Sequence, residues 1–304
     1  MTPEPPITVV VSTRNRETEV GGTVATILRN DYPDFEVRVI DQSDGGGTGS
    51  SLRRFSSDPR FHYIRTAARG LSAGRNLGIE GARNEIIAMT DDDCRTPPDW
   101  LRELALAFGA DRRIGIVFGN VHPGPHDSHA GFIPSYARKS AFLARSILDK
   151  RRVEGISACM GLKKSVWRDL NGFDELLGSG APFRAAEETD FTIRTLLAGY
   201  CVYETPAFSV CHLGFRTWDQ GRRLIEGYLF GIGAALVKNL KCRHGSVLLV
   251  LLGLMGRWAT GRPRVDFGHL PPRGLRLRAF ARGFLAGAAH PVDRRAGLFR
   301  QKNA

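Results

Sequence analysis

Three consecutive carboxylates, Asp91, Asp92 and Asp93, give the sequence its strongest chemical signal, in Thr90-Asp-Asp-Asp-Cys94. Adjacent carboxylates repel and raise one another's pKa. A hard divalent cation, magnesium or manganese, relieves that cost and keeps positions open for phosphate oxygens. Alternation at a strand end aims Asp91 and Asp93 to one side and Asp92 to the other. One then faces a nucleoside while another holds metal. A solvated acidic turn ahead of a helix, favoured by the helix dipole, accounts for the tripeptide equally well.

A second acidic run, Glu187-Glu-Thr-Asp190, opens a helix. Glu187 and Glu188 are candidates for a general base, because neighbouring charge tunes a carboxylate toward neutral pKa. The alternative is compensation of the dipole, with Thr189 and Asp190 on the surface. Gly70-Leu-Ser-Ala-Gly-Arg-Asn-Leu-Gly78 combines small residues with Arg75 and Asn76. Its glycines let a helix approach another backbone. Arg75 can neutralise a phosphate, or can be one surface arginine on a packed helix. His212 follows a short strand, where a neutral imidazole is either a metal ligand or a structural group.

The elements that must position these residues follow a simple alternation. Ile7–Ser12, Phe35–Ile40, Phe61–Arg65 and Glu85–Thr90 read as strands. Glu17–Asn30, Ser50–Phe55 and Leu71–Ala82 read as helices, and Pro97 and Pro98 start another through Trp100, Leu104 and Phe108. Such alternation predicts a mostly parallel sheet covered by helices on both faces. Ligands bind outside the carboxyl ends of strands in such sheets, where Asp41 and Asp91–Asp93 stand. Ser12-Thr-Arg-Asn-Arg16 occupies the place of a GxGxxG motif, which weighs against a nicotinamide enzyme. Beyond Gly119 the pattern loosens. Ile133–Leu148 is expected to be helical, Gly155–Leu162 extended and Ala185–Ala198 helical. Cys201–Glu204 and Phe208–Cys211 are expected as two short strands. A boundary near Gly214 separates residues 1–214 from a helical, basic region, residues 215–304.

Of the 304 residues 42% are hydrophobic, enough for a sizeable core, and the net charge is +12. That balance suits nucleic acid, an anionic membrane face or a phosphorylated substrate. From Arg257 onward the only acids are Asp266 and Asp293, as in a solvated tail. The five cysteines show no CxxC spacing, so neither a zinc knuckle nor a disulfide framework is indicated, and reduced thiols in a cytoplasm are expected. The N-terminus reads as a first strand rather than a signal peptide. No run reaches the ~18 apolar residues of a membrane span.

Together these motifs resemble the family-2 glycosyltransferases with a GT-A fold, over Ile7 to Leu213. The resemblance implies a Rossmann-like, mostly parallel sheet, to which the helical C-terminal region is appended. Val11-Ser-Thr-Arg-Asn-Arg16 is similar to the motif lining the nucleotide pocket, which places Thr13 and Asn15 near the donor. Asp41 corresponds to the acid contacting the base, and Arg75 to an arginine beside the donor. Asp91–Asp93 resembles the DxD motif: Asp91 on the ribose side, Asp92 beside the donor, Asp93 on the metal. Gly172-Phe-Asp-Glu175 resembles an acceptor-side turn containing Asp174, with Asn171 replacing its first glycine. In Glu187-Glu-Thr-Asp190 the second acid, Glu188, corresponds to the base and Glu187 lies toward the acceptor. His212 corresponds to a metal ligand of some relatives. Gln220-Gly-Arg-Arg-Leu224 approximates the QxxRW motif of processive synthases, with Leu224 in the tryptophan place and Arg222 and Arg223 near acceptor or diphosphate. Implied is a manganese- or magnesium-dependent, inverting transfer of one sugar from a nucleoside-diphosphate-sugar to an acceptor hydroxyl, in cell-surface polysaccharide or glycolipid synthesis.

Leu224–Leu240 and Ser246–Trp258 are apolar with basic flanks. They read as a helix pair on the anionic inner membrane face, or as one completing the core or a dimer interface. The acceptor is expected to be a saccharide or lipid-linked, and the first option suits a lipid-linked one. Two rival functions are a sugar-phosphate nucleotidyltransferase and a nucleic-acid-binding module. The first needs a glycine-rich basic loop after the first strand, of which Ser12–Arg16 is a poor version. No RRM, KH or zinc-finger signature supports the second, so no nucleic acid partner is expected.

Overall fold

The computed structural model describes residues 4–260 and 271–301. Strand β1 (Ile7–Thr13) is a β-branched run buried on both faces, as a central parallel strand requires. Helix α1 (Val20–Ile27) leads to β2 (Phe35–Asp41), and α2 (Gly47–Leu52) to β3 (Phe61–Arg65). Helix α3 (Leu71–Glu80) returns to β4 (Ile86–Met89). These four strands are parallel, with Ile7 level with both Phe35 and Ile86. α3 lies tight on the sheet because of its glycines. A Cβ at Gly78 would stand 2.4 Å from Val10 Cγ1, and one at Gly74 2.8 Å from Ser12 Oγ.

The short strand β5 (Cys94–Arg95) precedes α4 (Trp100–Phe108), which starts after Pro97 and Pro98 rather than on them. The second half of the sheet departs from simple alternation. β6 (Ile114–Pro123) is ten residues long and almost wholly buried, and no strand was expected there. β7 (Gly131–Phe132) follows. The helix expected over Ile133–Leu148 is absent. Tyr136 instead exchanges backbone hydrogen bonds with Val121, and β8 (Phe142–Ala144) joins the sheet edge. Pro134 explains this, since it lacks an N–H and disfavours helix at the residue before it. In the segment expected to be extended, a 3₁₀ turn (Ser157–Cys159) leads into β9 (Met160–Lys163) and α5 (Lys164–Asp169). Helix α6 (Glu187–Leu197) then precedes β10 (Cys201–His212). The two expected strands are one, carrying a register shift between Glu204 and Ser209 around Pro206, which cannot donate to the ladder.

The sheet order is β3-β2-β1-β4-β9-β6-β10-β5, with β8 also on β10. β9 runs antiparallel to β4 and β6, and β6 and β10 are parallel. The molecule is thus α/β, with separate apolar clusters on the two sheet faces.

Beyond Gly214, β11 (Arg216–Thr217) pairs with β7. Helix α7 (Trp218–Lys241) is fixed at its start by a reciprocal cap between Thr217 and Gln220. Helices α8 (Val247–Thr260) and α9 (Arg273–Ala289) pack on it, and a hairpin of β12 (Val292–Asp293) and β13 (Leu298–Phe299) follows. A third apolar cluster joins Ile193 of α6 to Leu236, Val250 and Phe280 of α7, α8 and α9. Part of the basic stretch from Arg257, with Asp266, lies outside the described residues; Arg273 to Ala289 is helical, as expected of the basic C-terminal region and unlike a solvated tail. No helix among the described residues is long and apolar enough to cross a membrane. The five cysteines are free.

Candidate active site

β4 ends at Met89, so the three aspartates lie in the turn that follows, and strand alternation does not apply to them. They point in three directions. Asp91 Oδ1 accepts from Arg75 Nη2 at 3.2 Å, and Asp92 Oδ2 from Thr13 Oγ1 at 2.7 Å. Asp93 Oδ1 lies 3.1 Å from His212 Nε2. Sheet register makes this last pair: β5 runs antiparallel to β10 with Cys94 opposite His212, and the Leu213 N–H bonds the Asp93 carbonyl.

His212 Nδ1 is 2.8 Å from the Pro134 carbonyl oxygen, which only a ring N–H can bond. Nε2 therefore turns its lone pair toward a carboxylate unless a positive charge stands between them. That charge is a proton or a metal ion. Burial alone lowers the imidazole pKa, but Asp93 carries it above its ordinary value. Burial alone raises Asp93, and the His212 hydrogen bond carries it below the usual range. The donor set fits a divalent cation. Octahedral oxygen and nitrogen ligands at about 2.1 Å stand about 3 Å apart, close to the observed separation. The Cys94 thiol is near enough to join them, but burial raises its pKa well above the usual thiol value and keeps it protonated. A Cβ at Gly214 would come within 2.6 Å of both Asp93 Oδ2 and His212 Nε2, so only glycine leaves this corner clear.

Arg75 sits on α3 and is 2% exposed. Besides Asp91 it donates to Glu187 Oε1 at 3.0 Å and to Ser157 Oγ at 3.0 Å. Glu187 and Glu188 open α6. The two residues Arg184 and Ala186 just before them have φ of 69° and 72°, left-handed values that side chains rarely adopt. Such strain collects at functional sites. Glu188 keeps some accessible surface through a cavity of about 870 Å³, which Asp91, Asp92, Asp93, His212 and Glu187 also line. Burial pushes the Glu188 carboxyl well above the usual carboxylate range, and Glu187 adds to the rise. Asp92 is raised to about 7, by burial against the Thr13 hydrogen bond, with Asp93 adding to the rise.

The structure thus brings Thr13, Asp91, Asp92, Asp93, Glu187, Glu188 and His212 to one cavity, with Arg223 on its wall and Arg75 buried behind it, bonded to Asp91 and Glu187. Besides Arg75, four expected site residues stand apart from its lining. Asp41 is buried at the end of β2, accepting from the Ser43 N–H and the Tyr63 hydroxyl. Asn15, in left-handed backbone at φ 54°, is bound to Asp44. Arg222 is exposed and pairs with Asp219. Asp174 is sealed by Lys238 at 2.9 Å and the Phe299 N–H at 2.8 Å. Asn171, in the place of a glycine, has φ 57°, a conformation asparagine tolerates. Asp190, read as a surface residue in one alternative, is fully buried between Lys238, Arg194 and Asn239.

Sequence reasoning missed Ser157, Arg16 and Tyr228. Arg16 reaches Asp93 at 3.6 Å from within a motif already singled out. Ser157 lies in a segment read as extended. Tyr228 sits mid-α7 with no local signal, yet burial and the nearby Glu188 raise its hydroxyl pKa.

The sequence profile described as "Glycosyl transferase family 2" matches residues 8–170. Glycosyltransferase AglE of Haloferax volcanii is 25% identical over 213 residues, covering 68% of this chain and 67% of that protein. Glycosyltransferase GlyA of Streptococcus pneumoniae is 28% identical over 37% of this chain, but the match spans only 17% of its length. Among solved structures, the Pyrobaculum calidifontis mannosyltransferase PcManGT, in complex with GDP-Man and Mn2+, aligns over 95% of this chain and 87% of its own. Its TM-score is 0.60 at 18% identity. Residues 1–349 of S. aureus TarS align over 92% and 70% respectively, with a TM-score of 0.59 at 15% identity. These likenesses establish a GT-A fold. With the family profile matched over more than half its length, this chain belongs to glycosyl transferase family 2 and is a glycosyltransferase.

Proposed function

We propose that the protein transfers one sugar from a nucleoside-diphosphate-sugar to an acceptor hydroxyl, with inversion, and needs a divalent cation. The observation that carries this reading is the enclosure of Glu188 in one cavity with Asp91–Asp93 and His212. Asp93 and His212 would hold the cation, manganese or magnesium. When bound it neutralises the diphosphate that leaves the sugar. Glu188 takes the proton of the acceptor hydroxyl at its carboxylate, whose affinity for a proton is raised by burial and by Glu187. The acceptor oxygen then meets the anomeric carbon on the face opposite the diphosphate. Thr13, Asp91 and Asp92 border the donor. Arg75 fixes Asp91 and Glu187, so both acids keep their geometry as charge shifts. Arg16, Arg216 and Arg223 line the same cavity and favour an anionic donor. Asn15 and Asp41 shape the donor side from behind this lining, Arg222 flanks the acceptor side, and Asp174 secures its own turn.

Residues 1–214 carry the donor site and residues 215–304 complete the acceptor side. Among the described residues, six of the ten exposed large apolar side chains are leucines of α8 and α9, and the exposed Arg273, Arg278 and Arg282 stand among them. That mixture fits peripheral binding to an anionic inner-membrane face. Relatives named hyaluronan synthase (Pasteurella multocida) and poly-beta-1,6-N-acetyl-D-glucosamine synthase (Staphylococcus epidermidis) point to cell-surface polysaccharide or glycolipid as the product class.

The test is release of nucleoside diphosphate from a panel of nucleotide sugars with manganese. Release from one donor, lost on chelation, is expected. Release indifferent to chelation removes the metal from this reading.

A further inference from the structure

The cavity does not end at the acids. It continues between α7 and α8, where Ile225, Leu229, Ile232 and Leu236 of α7 face Val250 and Leu254 of α8. The α7 positions fall at helical spacing and form one stripe. From Ile225 to Leu236 that stripe runs about 16 Å at the helical rise. Tyr228 marks the junction: it lines the cavity in the same stripe, and Glu188, Glu187 and Asp91 all act on its hydroxyl. An arm lined by leucine and isoleucine has no use in binding a sugar or a diphosphate, which want polar partners.

Two further observations limit what fits. Arg223 and Arg276 line the same cavity, so cations stand on its walls beside the apolar stripe. α8 is also two-faced. Val250 and Leu254 turn inward, while Leu248, Leu249 and Leu252 are about half exposed on its outer side. A single helix therefore separates the apolar arm from an apolar outer surface.

We infer that the acceptor is carried on a phosphate-bearing lipid, whose long apolar chain lies along α7 in this arm while its hydroxyl reaches Glu188. This rests on the reading of the cavity as the transfer site. Continuity with the acids gives the chain its direction, the arginines match its phosphate, and the outer leucines give it a way in from a bilayer. Specificity for the acceptor then resides partly in chain length, which the sugar-handling residues do not sense.

The probes are n-alkyl phosphates of increasing length below their micelle concentrations, titrated into the full chain by calorimetry, with inorganic phosphate as the head group alone. Affinity is expected to rise by up to roughly fourfold per added methylene and to level off when the arm is full. Ile232→Trp, which fills the arm, should bring that plateau to shorter chains. Ile232→Ala, which widens it, guards against a misfolded tryptophan variant and should move the plateau to longer ones. Farnesyl phosphate set against dioctanoyl phosphatidic acid distinguishes an isoprenoid carrier from a glycerolipid one. Affinity independent of chain length overturns the inference. So does a gain that both variants leave unchanged, which would put the chain on the outer leucines instead. A nucleotide sugar titrated into the same samples separates the failures: donor binding without chain binding sinks this inference alone, whereas loss of both sinks the transferase reading.

Discussion

Two buried cations each hold two carboxylates, and the first turn of α6 contributes one acid to each. Arg75 holds Asp91 and Glu187; Lys238 holds Asp174 and Asp190. Glu187 and Asp190 are one helical turn apart, yet their surroundings differ. Around Lys238 every acid is closed off: Asp190 also accepts from Arg194 and Asn239, and Asp174 from backbone N–H groups of Leu176 and Phe299. Around Arg75 the set is open, because Asp91 keeps 33% of its side-chain surface and shares a cavity with Glu188. A closed constellation fastens α7 to α6, and an open one leaves a carboxylate for a ligand. Similar residues thus serve structure in one place and chemistry a turn away.

Substitutions can break this contrast. The largest effect is expected at the open end: Glu188→Gln should lower the transfer rate by about 10²- to 10⁴-fold, while calorimetry still shows donor binding. An equal loss of donor affinity would deny Glu188 the role of base. At the closed end, Lys238→Ala strands two buried carboxylates and should cost about 3–5 kcal/mol in denaturant unfolding. If it instead slows turnover with stability intact, the closed set is not merely structural. Gly78→Ala forces a methyl against Val10 and should cost about 1–3 kcal/mol, with no change in donor preference.

Acid should separate the two sets further. Burial alone would raise Asp190, but Lys238 and Arg194 hold it below its ordinary value. Its contribution to stability is thus present above the unfolded carboxylate range near 4 and is lost as pH falls through the lower folded value. Glu188 is raised, so the unfolded chain ionises first and stability falls as pH climbs from that same range toward the folded value. Glu188→Gln should therefore be more stable than the parent at neutral pH and level with it in acid. Melting curves of both across pH 3–8, a range chosen around the ordinary carboxylate value, check the sign.

The legible part of the molecule is the part built by local rules. β1 to β4 and α3 follow from β-branched runs, helical spacing and glycine punctuation, and the three aspartates stand at the end they mark. Glu187 and Glu188 were recognisable at a helix start, and His212 at the end of a strand. What stayed hidden was set by distant partners. Within residues 133–145, Tyr136 is paired with Val121 of β6 and Phe142–Ala144 with β10. Ser157 gains its meaning from Arg75, 82 residues earlier. Asp174 looked like an acceptor-side acid, and only the fold shows Lys238 closing over it. The C-terminal region was legible as helical and basic, but not that α9 packs its apolar residues on α7.

The measurement that tests the central claim most directly is calorimetric titration of nucleoside-diphosphate sugars, with and without manganese. The expected result is one donor class that binds with the cation and weakens by about 10- to 100-fold on chelation or in Asp93→Asn. Failure of every nucleotide sugar to bind in the presence of manganese, in a sample that unfolds cooperatively, would contradict the account.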